Sequence, residues 1–138
     1  MKLLAAFCLA VALLTACASP EARQTSGEAV LFVRSGGIAG VDDRLSIGPD
    51  GAAVLLRRKS PAVETHLTPA ERDSLHSALD RAVLSAPARG LPGPPDTYTY
   101  SVTLRGSTVH VPQTAVPPGL RELVGVLLDI TNRLAHNG

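Results

Sequence analysis

Apolar positions change their spacing several times along the chain, and each change marks an element. EAVLFVR (28–34) is rich in β-formers and reads as a buried strand, ended by Gly36-Gly37. DRLSIG (43–48) alternates, with Leu45 and Ile47 on one face. Gly48-Pro49-Asp50-Gly51 then turns the chain into a third strand, AAVLLRR (52–58). A helix follows, with Thr68 as N-cap, Pro69 at the first helical position and Glu71 completing a capping box. Its stripe of Leu75, Ala78, Leu79, Ala82 and Val83 has the spacing of core packing. APARGLPGPP (86–95) cannot continue a helix. DTYTYSVTLRGSTVHV (96–111) is a hairpin with Tyr98, Tyr100, Val102 and Leu104 on one face and a turn at Arg105-Gly106-Ser107. Pro112 stops its second strand or places it at a sheet edge. Pro117-Pro118-Gly119 opens a last helix in which Leu120, Leu123, Val124, Leu127, Ile130 and Leu134 keep helical spacing. The order βββ–α–ββ–α, with hairpin-length connections, predicts an α+β fold: a small antiparallel sheet covered by two helices.

The front of the chain follows other rules. Lys2 precedes an almost unbroken apolar run, Leu3 to Leu14, too short to span a bilayer as a stable helix and matching a secretory signal. Leu14-Thr15-Ala16-Cys17 resembles a bacterial lipobox, in which the thiol is lipidated and the peptide is cut just before it. The expectation is an exported lipoprotein, anchored to a bacterial membrane by acyl chains (palmitate among them) on Cys17. Two or three chains hold stably where one does not, since each buried methylene contributes about 0.8 kcal/mol. Ala18 follows the cysteine, so no acidic residue there favours inner-membrane retention. The predicted organisation is a signal peptide over 1–16, the lipidated cysteine and a flexible linker over 17–27, and one folded domain over 28–138. Of the two cysteines, Cys8 leaves with the signal, so the exported domain has no disulfide.

Charge and candidate chemistry narrow the function. Removing 1–16 takes Lys2 and no acid from thirteen basic and twelve acidic residues, leaving a neutral domain and arguing against nucleic acid. The basic run Arg57-Arg58-Lys59 reads as the solvated end of a strand. His66, His76, His110 and His136 lack metal-binding spacing and have no CxxC beside them, so neither metal nor other cofactor is expected. Ser74, His76 and Asp80 lie on one short helix, where a nucleophile could not meet an oxyanion hole in a cleft. Asp42 and Asp43 are adjacent and point apart, and Asp96 opens a strand; none forms an acid–base pair. The domain therefore reads as monomeric and non-enzymatic.

One stretch stands out, RSGGIAG (34–40). It is not GxGxxG, it opens no helix, and the pattern after it is antiparallel, so dinucleotide binding fails on context. A hairpin turn explains the glycines, which allow positive φ, but leaves Ile38 either tucked into the core or displayed. VLFVRSGGIAG, the alternating strand after it, the helix and the later D-x-Y-x-Y-x-V strand together resemble the emfourin family, inhibitors of protealysin and related thermolysin-like metalloproteases. The similarity runs over most of residues 29–130.

The resemblance implies an α+β inhibitor domain that blocks a zinc protease without holding zinc. Carried over residue by residue, it assigns partner contact to Arg34, Ser35, Gly36, Gly37, Ile38, Ala39 and Gly40, with Asp96, Tyr98 and Tyr100 as a second set. Thermolysin-like clefts favour a bulky apolar side chain just past the scissile bond. Ile38 on a rigid glycine-flanked loop offers one, with Arg34 expected at the rim. The family's members stand alone as soluble proteins, whereas this chain carries a lipobox and a leash. The alternative reading is a non-catalytic envelope lipoprotein that binds another protein without inhibiting a protease.

Overall fold

A computed structural model of the chain describes residues 30–84 and 94–138. The apolar run 3–14, Cys17, the linker 17–27, Glu28-Ala29 at the start of the first strand and most of the 86–95 loop lie outside the described residues. The strands are β1 (Val30–Gly36), β2 (Val41–Ile47), β3 (Ala52–Arg57), β4 (Val63–His66), β5 (Tyr98–Leu104) and β6 (Ser107–Pro112). The helices are α1 (Pro69–Arg81) and α2 (Pro118–Asn137). All six strands form one antiparallel sheet in the order β4-β3-β2-β1-β5-β6, which makes the architecture α+β as expected.

The sequence pattern omits β4. Its four residues, VETH, alternate only between half-buried and exposed, because an edge strand pairs on one side and covers little of the core. Pro112 does both things open to it, ending β6 at the opposite sheet edge. Val30, Phe32, Leu45, Ile47, Leu55, Val102 and Val111 line one face of the sheet and join both helices in a single core. From α2 that core takes Leu120, Leu123, Val124, Leu127, Ile130 and Leu134, each burial stabilising by about 1.5–3 kcal/mol.

Helix α1 starts where the capping box dictates: Thr68 Oγ1 accepts from the Glu71 N–H at 3.2 Å, and Glu71 Oε2 accepts from the Thr68 N–H at 2.8 Å. It stops earlier than its apolar stripe implied. Ala82 turns extended (φ −68°, ψ 126°), so Val83 lies beyond the helix, 58% exposed rather than in the core. Two ion pairs join the helices. Arg133 Nη2 donates to Glu71 Oε2 at 2.9 Å, and Arg81 Nε donates to Glu122 Oε2 at 2.9 Å. Among the described residues no helix is long and apolar enough to cross a membrane.

Candidate partner-contact site

Antiparallel pairing runs up the β1–β2 hairpin as far as Gly36 opposite Val41, leaving Gly37, Ile38, Ala39 and Gly40 as its tip. The tip closes as a turn, the Gly40 N–H donating to the Gly37 carbonyl at 3.0 Å. The Gly37 N–H donates sideways to the Thr97 carbonyl at 3.3 Å, which ties the tip to the residue before β5. Gly36 (φ +108°) and Gly37 (φ +71°) hold backbone that L-residues avoid. A Cβ on Gly36 would lie 2.8 Å from the Thr97 carbonyl oxygen, and one on Gly37 would lie 2.9 Å from the Tyr98 ring. Handedness and close approach both demand glycine. Ile38, between them and Gly40, is 88% exposed, so it is displayed and not tucked in.

Beneath the tip the core face of the sheet changes character. Strand alternation carries Phe32 to Arg34, Leu45 to Asp43 and Leu55 to Arg57, so three charged side chains share the helix-covered face at this end. Arg34 Nε donates to Asp43 Oδ2 at 3.0 Å, and Nη2 donates to the same oxygen; the two side chains are 20% and 10% exposed. The Arg34 guanidinium also lies 5.5 Å from the centre of the Tyr98 ring, a cation–π contact. Tyr100 is buried on the same face, its ring 5.8 Å from that of Phe32. Burial raises the Tyr100 hydroxyl pKa above 10.0, with the Arg34 charge pulling the other way, so the ring stays neutral at ordinary pH. Arg34, Asp43, Tyr98 and Tyr100 thus form a stiff base for the hairpin.

The structure brings Arg34–Gly40 together with Tyr98 and Tyr100, while Asp96 sits exposed in the turn leading into β5. Arg34, expected at the rim, lies under the loop as a strut. Arg57, read as solvated, is half-buried; of its run only Arg58 and Lys59 are exposed. Asp42 and Asp43 do point apart, the first into solvent and the second into the Arg34 pair. Asp43 and Arg57 belong to no motif, yet period-two counting from Leu45 and Leu55 places both on the core face. Ser74, His76 and Asp80 are exposed on α1. His110 Nδ1 is 2.6 Å from the Ser101 hydroxyl on β5, and His136 Nδ1 donates to the Asn132 carbonyl at 2.6 Å. Among the described residues no cluster of His, Cys, Asp and Glu could hold a metal ion. What the site can do is seat an apolar knob on a rigid stem in a complementary pocket.

A family model described as Emfourin matches residues 51–128, from the turn before β3 through the first half of α2. The match covers more than half of the chain. It includes Asp96, Tyr98 and Tyr100 and begins downstream of Arg34–Gly40. No curated protein matches the chain, and no solved structure does.

Proposed function

Since the chain belongs to the emfourin family, a family of protease inhibitors, we propose that it inhibits a thermolysin-like zinc metalloprotease from a bacterial membrane surface, presenting Ile38 to the protease cleft. The observation that carries this reading is the 88% exposure of a β-branched apolar side chain on a turn whose backbone is fixed by glycines and by β5. A preformed loop leaves little ordering entropy to be lost on binding. The inhibitor holds no metal of its own and performs no chemistry; it excludes substrate by occupying the cleft.

Val30 pairs with Ile47 at the end of β1 remote from the tip. Seven residues of β1 separate that end from the tip by roughly 20 Å.

The test is inhibition of a panel of thermolysin-like proteases by the full chain in detergent micelles. Inhibition of at least one, competitive with peptide substrate, supports the proposal. Inhibition of none removes it and favours the second reading, an envelope lipoprotein that binds another protein. That reading draws on the start of the family match at Gly51, after the hairpin tip.

A further inference from the structure

Beside the tip lies a notch of about 360 Å³ formed where the hairpin meets the β3–β4 turn, with Ala135 of α2 closing one side. Arg34, Arg57, Arg58 and Lys59 line it together with Asp42 and Asp43, an excess of two positive charges. Asp43 is already engaged by Arg34. Arg57 stands directly across from Asp43 in the sheet, yet its Nε–H is buried and has no hydrogen-bond partner among the described residues. A buried charged donor without an acceptor is costly and uncommon in folded proteins. Lys59 is held in left-handed backbone, φ +62°, and makes no ion pair among the described residues.

We propose that this notch receives a carboxylate from the protein that seats Ile38, so that tip and notch form one contact surface. The inference rests on the partner-binding reading of the tip. Ala39 and Gly40 follow Ile38 directly and line the notch, so a body that covers the knob also covers the notch mouth. Pressing a neutral or basic wall onto that positive excess strips water from guanidinium groups and returns nothing. An Asp or Glu side chain at the mouth returns charge-assisted hydrogen bonds to the guanidinium groups that line the notch and offsets half of the excess. The partner is thereby defined chemically: an apolar pocket with an acidic residue on its rim. A knob alone accepts many pockets, and the notch selects among them.

Two readouts test this. In the first, the full chain is ¹⁵N-labelled in detergent and the Arg57 Nε–H resonance is followed while N-acetylglutamate amide is added as the carboxylate probe. A saturable shift, absent with N-acetylglutamine amide, supports the proposal, and no saturable shift overturns it. Saturation by inorganic phosphate at tenfold lower concentration also overturns it, since the recess would then be a phosphate site. In the second, Lys59→Asp reverses one charge at a backbone position that Asp tolerates. Against a protease that the unmodified chain inhibits, Ki should rise about tenfold at low salt and only about twofold at 0.5 M NaCl. An unchanged Ki at low salt overturns the proposal. Should Lys59→Asp lower the melting temperature, exposed Arg58→Gln carries the same expectation at about threefold. If the unmodified chain inhibits no protease, the inhibitor reading falls and the resonance experiment alone decides the notch.

Discussion

Asp43→Asn isolates the stem of the hairpin. The Asp43 carboxylate oxygen accepts Arg34 Nε at 3.0 Å and Nη2 as well, and the side chain is 10% exposed. Hydrogen bonds to charged groups contribute about 1.5–3 kcal/mol each when little solvent competes. Arg34 keeps a fifth of its surface in water, so the lower end of that range applies. Asparagine preserves shape and one acceptor but leaves Arg34 and Arg57, on the strands either side of it, without a countercharge. The expected loss is about 2 kcal/mol. Asp42→Asn is the internal control: one residue away, on the other face and exposed, it should stay within about 0.5 kcal/mol. Urea unfolding at pH 7 measures both. With m of about 1–3 kcal/mol/M, the midpoint should fall by about 1 M for Asp43→Asn and barely move for Asp42→Asn. Replacing the pair together, Arg34→Met with Asp43→Leu, should recover most of the loss. Equal costs at the two aspartates, or a cost below 0.5 kcal/mol at Asp43, would refute the reasoning.

Other perturbations reach other joints. Burial pushes the Glu71 pKa up, but hydrogen bonds from Arg133 and Thr68 outweigh it and leave the carboxyl below its ordinary 4.5. Its contribution to stability is therefore complete above the unfolded value and is lost as pH falls through the lower folded one. Glu71→Gln should be less stable than the parent at pH 7, with the gap closing below about pH 4 in acid-unfolding curves. Gly36→Ala should cost about 2–3 kcal/mol in thermal unfolding, from backbone at φ +108° and a Cβ 2.8 Å from the Thr97 carbonyl oxygen. Cys17→Ser should remove acyl mass and leave residues 1–16 uncut, both read from the mass of the intact protein.

Much of this fold can be read from spacing. The capping box at Thr68 and Glu71, the α2 stripe from Leu120 to Leu134 and the Gly48–Gly51 turn are local signals, and each lies where its pattern placed it. Strand β4 and the end of α1 were not legible, because an edge strand needs β3 to exist and the Val83 N–H leaves the helix pattern to donate to the Gly119 carbonyl at 3.2 Å. The tip residues were legible as a glycine cluster, but whether Ile38 faces inward or outward depends on Thr97 and Tyr98, about sixty positions away. Arg57 shows the opposite case. Counting by two from Leu55 places it on the core face, and its basic neighbours concealed that.

The account turns on whether Ile38 touches the partner. Exposed at 88%, it contributes little to the fold, so Ile38→Asp should leave stability within about 0.5 kcal/mol. Burying isoleucine in a cleft is worth about 1.5–3 kcal/mol, and desolvating aspartate adds a penalty. The measurement is Ki for a thermolysin-like protease, taken beside a melting curve of the same preparation. The account predicts a rise of about a hundredfold with an unchanged melting temperature. Full inhibition by a folded Ile38→Asp chain would contradict it.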